Sequence, residues 1–148
     1  MTTPEDILHH SNKEEERLKV LFDFAINPGY STYFHTTTSD RAKSILKNGF
    51  RFQLSGKSTD YVFDHNSIAY WINARKQYGD AVVIIQIEDT VRRIEEISKI
   101  EKAKNKEYWA ENSEFLGNDF NYILKPRYIK GFYNRETQKI TPNKLFKK

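Results

Sequence analysis

Seven consecutive residues, Ala81-Val82-Val83-Ile84-Ile85-Gln86-Ile87, constrain this chain most. All but Gln86 are apolar and most are β-branched, side chains that suit a pleated strand better than a helix. A strand with one wet face alternates polar and apolar residues, whereas an unbroken run needs cover on both faces. The run therefore predicts a central strand, and the rest of the chain must supply its two covers.

The flanking sequence offers helices first and strands later. Ser11 opens a capping-box pattern with Glu14, ahead of Leu18, Leu21, Phe22 and Ala25, and Asn27-Pro28-Gly29 stops that helix. Tyr33–Thr38 reads as a strand. Ser39 or Asp40 then caps a helix with Ala42, Ile45 and Leu46 on one face and Gly49 as its C-cap. Phe50-Arg51-Phe52 reads as a short extended piece, Leu54–Asp60 as a polar loop and Tyr61-Val62-Phe63 as a third strand. Asn66 caps a helix to about Tyr78, ended by Gly79-Asp80.

After the apolar run, Asp89 or Thr90 caps a charged helix with Val91, Ile94 and Ile97 in one stripe, and Lys99–Lys106 runs out into solvent. Phe115–Asn118 reads as a glycine loop, and Phe120–Leu124 and Tyr128–Tyr133 as two final strands. Helices in the first two-thirds and strands at the end point to α+β. A single domain over 1–148 is expected, with 1–29 a helical N-terminal segment, 30–134 the core and 135–148 a basic tail.

Composition narrows the chemistry. The chain has no cysteine, which excludes disulfides and thiolate metal sites and permits a reducing compartment. The polar, acidic N-terminus and the lack of a membrane-length apolar run make a cytoplasmic domain the expectation. From Lys125 onward eight Lys or Arg face one acid, so the net charge of +4 divides into about +7 there and about −3 before it. A solvated tail and a nucleic-acid footprint are both consistent with that end. None of the four histidines (His9, His10, His35, His65) stands at a metal-ligand spacing, and no glycine-rich phosphate loop or Gly-x-Ser-x-Gly elbow occurs.

One longer pattern joins these pieces. Phe34-His35-Thr36-Thr37, then Ala42, then Ile45-Leu46-Lys47-Asn48-Gly49-Phe50 resembles the first motif of the ADP-ribosyltransferase fold, especially its DarT-like toxin branch. Tyr61 ahead of the next helix resembles the second motif, and Ala81–Ile87 the strand that follows it. Asn121-Tyr122-Ile123-Leu124 with Pro126, Ile129 and Phe132 resembles the last motif. The similarity spans about Thr32–Asn134 and implies a mixed or antiparallel split β-sheet flanked by helices.

The resemblance also implies roles. His35 would hydrogen-bond a ribose hydroxyl of NAD, and the Thr36 main chain, with Thr37 beside it, would meet the nicotinamide amide. Tyr61, or Tyr70 in its place, would stack on the ring, and Lys57 or Arg51 would reach the pyrophosphate by charge. Two positions depart from the family. Thr36 stands where glycine is usual, as the DarT-like branch tolerates. Asn121, or Tyr122 after a one-residue slip, stands at the usual glutamate, where an amide offers neither negative charge nor a base. Asp119 or Glu114 would then supply the acid. The implied activity is metal-free transfer of ADP-ribose from NAD to a nucleic-acid or protein acceptor, as in a bacterial or phage toxin or defence factor. The alternatives are a catalytically weak NAD- or ADP-ribose-binding module of the same fold, and a nucleic-acid-binding domain.

Overall fold

The apolar run forms β4 (Ala81–Glu88) in the middle of a five-stranded sheet. The computed structural model describes residues 4–53, 59–88, 113–117 and 121–147. Across the sheet the order is β3 (Asp60–Val62), β1 (Tyr30–Thr37), β4, β7 (Ile129–Asn134) and β8 (Ile140–Pro142). Every pairing is antiparallel. The unbroken apolar run thus reflects cover on both faces, not a parallel sheet, and Ala81 through Ile87 are all buried.

One cover consists of α2 (Ser39–Asn48) and a second, three-stranded antiparallel sheet. That sheet is ordered β2 (Phe50–Gln53), β6 (Asn121–Leu124), β5 (Ser113–Gly117). Ala42, Leu46, Phe50 and Leu124 pack there on Tyr33, Val83, Ile85 and Ile87. The other cover is α1 (Pro4–Ala25) with α3 (His65–Asn73), whose Leu21, Ala25, Ile68 and Ile72 meet Phe34, Val62, Val82 and Ile84. Fully burying one such side chain stabilises by ~1.5–3 kcal/mol, so β4 holds both layers. The fold is α+β.

Gln86, the polar exception in the run, has a specific job. Its Nε2 donates to the Ala25 carbonyl at 2.7 Å and to Asn27 Oδ1 at 2.8 Å. Thr32 donates to the same carbonyl at 2.5 Å, and Lys130 Nζ donates to the Phe24 carbonyl and Asn27 Oδ1. Carbonyls in the last turn of a helix have no partner inside it, so these donors fasten the end of α1 to the sheet. Burial pushes the Lys130 ammonium below its ordinary pKa, and the nearby Lys147 pushes the same way.

Several boundaries differ from expectation for local reasons. Helix α1 already runs from Pro4, so Ser11 lies inside it instead of capping it. Thr38, not Ser39 or Asp40, caps α2 by accepting from the Arg41 amide at 3.3 Å, because the Ser39 hydroxyl is directed to Asp80 at 3.2 Å. Asp64, not Asn66, caps α3 in a reciprocal box with Ser67. That helix stops at Asn73, before Arg75 takes a left-handed conformation (φ 58°) and a 3-10 turn spans Lys76–Tyr78. Phe115–Gly117 belongs to strand β5 instead of a loop. The helix expected from Asp89 or Thr90, the Lys99–Lys106 run and residues 54–58 lie outside the described residues.

The segment expected to be a solvated tail is part of the sheet. Ile140, Thr141 and Pro142 pair with Tyr133, Phe132 and Gly131. Asn143 donates its amide to the Lys130 carbonyl at 2.8 Å and its side chain to Ile129 at 2.9 Å, and the Lys147 amide reaches Arg127 at 2.8 Å. No helix among the described residues is long and apolar enough to cross a membrane. Deleting residues 140–148 removes several such bonds at ~1 kcal/mol each, so urea unfolding should report a loss of roughly 2–4 kcal/mol. An unchanged midpoint would mean that the segment adds nothing to the sheet.

Candidate functional site

Side chains alternate along β1, so Tyr33 and His35 share the face covered by α2 and the small sheet. Tyr33 is fully buried there, and the half-buried His35 ring lies 4.7 Å from Phe50, tilted by 56°. On β3, Tyr61 stands directly across from Tyr33, their rings 5.5 Å apart. His35 and Tyr61 are therefore both neighbours of Tyr33, one along its strand and one across to the next. Diagonal neighbours of this kind are roughly 7–8 Å apart, within reach of one small ligand.

Tyr61 also stacks on Phe63 at 5.5 Å and 22°, and Phe63 is 58% exposed. An aromatic row thus runs from the core at Tyr33 out to solvent at Phe63. Beside it the main-chain ladder changes. The β1–β3 register ends at Phe34–Asp60, while the β1–β4 register continues to Thr37–Ala81. His35, Thr36 and Thr37 thus follow the end of the short edge strand.

That edge strand is secured from its far side. Arg75 grips Asp60 with two bonds, Nε to Oδ2 at 2.6 Å and Nη2 to Oδ1 at 2.9 Å. Its guanidinium also lies 4.9 Å from the centroid of the Trp71 ring. Asp60 precedes Tyr61, so the clamp limits how far the Tyr61 main chain can move.

The remaining expected residues are distributed more widely. Thr36 is buried on the face opposite His35, and Thr37, on the His35 face, has its carbonyl packed against Gly79. Tyr70 lies on α3, 64% exposed and edge-on to Trp71 at 4.8 Å, so it belongs to the layer on the other side of the sheet. Arg51 is exposed while its neighbour Phe50 is buried against His35, so Arg51 takes the outer face of β2. Asn121 is in register with Gln53 and Gly117, and Glu114 with Ile123, which Arg51 flanks from β2. Asp119 and Lys57 lie outside the described residues.

Sequence reading alone did not single out Tyr33, Phe50 or Phe63 as the aromatic surround, nor the Asp60–Arg75 clamp. The alternation of Tyr61 and Phe63 was a usable signal. The clamp had none, because its partners are brought together by the helix between them. Comparison with protein-family models, with curated proteins and with solved structures found no match.

Replacing Arg75 by Met should loosen β3 locally. Hydrogen exchange of the β3 main-chain amides should quicken, while global stability falls by about 1 kcal/mol, since Arg75 is partly exposed although Asp60 is mostly buried. Unchanged exchange at Tyr61 and Val62 would show that the clamp does not steady the strand.

Proposed function

We propose that the chain is an ADP-ribosyltransferase-like protein that takes NAD as its substrate and transfers ADP-ribose to a macromolecular acceptor. The observation that carries this reading is the convergence of His35 and Tyr61 on one face, around Tyr33 and beside Phe50. The residues suit a nucleotide of this kind. A half-buried imidazole can bond a ribose hydroxyl, and Tyr61 with the exposed Phe63 offers aromatic faces on which a nicotinamide ring can stack. The Thr36 main chain, just past the end of the β3 ladder, is the natural contact for the carboxamide.

In such a transfer the bond from the ribose anomeric carbon to the nicotinamide nitrogen breaks, and nicotinamide leaves with the bonding electrons. An acceptor oxygen or nitrogen forms the new bond and releases its proton. The enzyme must hold the ribose, fix the leaving ring and stabilise positive charge on the sugar. His35 and Tyr61 serve the first two needs. Asp119 is the proposed source of negative charge, because the register sets Glu114 and Asn121 at the strand positions that Arg51 shares, out of step with Phe50 and Leu124. The acceptor is a nucleic acid or a protein, and the cysteine-free composition fits a cytoplasmic setting.

Incubation with labelled NAD should release nicotinamide, and His35→Ala should lower the rate by about 10²-fold, the typical loss of one positioned hydrogen bond. Tyr61→Leu should raise KM more than it lowers kcat, because stacking acts on the bound substrate before the bond breaks. Equal turnover by wild type and His35→Ala would remove the transferase reading. Calorimetric binding of NAD without turnover would favour a catalytically weak binding module.

A further inference from the structure

On the face of the sheet away from His35, a cavity of about 280 Å³ opens between α1, α3 and β7. Arg17, Lys76 and Arg135 all line it, together with Asn73, Gln138 and Tyr133, and no carboxylate does so among the described residues. The acids line the two adjoining cavities, Glu16 with Arg17 in one and Asp80 and Glu136 with Lys76 and Arg135 in the other, so the three cations border both kinds of space. Three cations of one sign thus face one another across a small space. Among the described residues, neither Arg17 nor Lys76 has an ion-pair partner.

The third cation is fixed in place. Arg135 donates from Nη1 to the carbonyls of Ile72 (3.1 Å) and Ala74 (2.9 Å), and from Nη2 to Gly79 (2.8 Å). The first two carbonyls end α3 and the third follows the 3-10 turn, so the guanidinium is built into the fold where these two elements close. Its Nε–H is buried without an acceptor among the described residues. Burial pushes the Arg135 pKa down, against the opposing pull of Asp80 and Tyr133. Arg17 and Arg135 both act on the Tyr133 phenol, which brings all three groups to the same wall.

The remaining lining sets the rest of the chemistry. Leu18 and Ile72 make an apolar floor under the cations, and the Asn73 and Gln138 amides can donate to oxygens. A volume near the lower end of small-molecule clefts, roughly 300–1,000 Å³, suits a compact ligand rather than a polymer backbone. We propose that this cavity is a second binding site, for a small phosphate-bearing molecule whose anion is held by Arg17 and Lys76 in the field of Arg135. It lies on the opposite side of β4 from the His35 face and does not depend on the reading of that face.

Pyrophosphate is a suitable probe for calorimetric titration of the whole chain. Saturable binding tighter than about 1 mM is expected. The Arg17→Gln, Lys76→Gln double variant should weaken it by at least about tenfold, as expected for lost charge-assisted bonds. Both positions are outside the core, and an unchanged thermal melt verifies that the variant folds; Arg135 is left intact because it holds α3. His35→Ala should bind pyrophosphate as wild type does. No saturable binding, equal affinity in the double variant, or loss of binding in His35→Ala would each overturn the proposal. So would binding abolished by moderate salt in wild type and variant alike, since that is unspecific charge attraction.

Discussion

Cover on both faces of β4 is the constraint from which the other features follow. A strand that buries every residue from Ala81 to Ile87 cannot sit at an edge or under a single layer. It requires β1 and β7 as neighbours and a packed layer above and below. The two layers differ in kind. Two helices cover one face, and a helix with a small sheet covers the other. Gly49 (φ 99°) shows how tightly the mixed layer closes, because a Cβ there would strike the Leu124 carbonyl and the Ile123 side chain. Only glycine lets the chain leave α2 and enter β2 so close to β6.

This asymmetry separates two surfaces of different chemistry. The His35 face combines one imidazole with aromatic rings and the end of a short edge strand. The opposite side gathers Arg17, Lys76 and Arg135 against the end of α3. Residues that alternate along one strand, such as Phe34 and His35, therefore belong to different layers and serve different ends. The same alternation assigns Thr36 to the buried face, so only its main chain is available beside His35.

Much of the frame was legible in the sequence because period and composition report burial directly. The apolar run, the helix from Ala42 to Leu46 and the strand at His35 follow from that signal. Caps were less legible, because neighbouring polar residues compete for the role. Thr38 caps α2 since Asp80, distant in sequence, engages Ser39, and no local pattern announces that bond. The strand at Phe115 and the pairing of Ile140–Pro142 depend on partners far along the chain, and charge alone suggested a free tail. For the site, His35 and Tyr61 were nominated by motif order. Their shared face became visible only through the β1–β3 register, whereas Tyr70 lies on α3 and Arg51 on the outer face of β2.

The central claim is that His35 and Tyr61 form one ligand-binding face. The most direct measurement is an NMR titration with NAD that follows the His35 imidazole and Tyr61 ring signals against the Asn73 and Gln138 side-chain amides. The account predicts saturable shifts at His35 and Tyr61 with a common dissociation constant. Saturating shifts elsewhere, with His35 and Tyr61 unmoved, would contradict it.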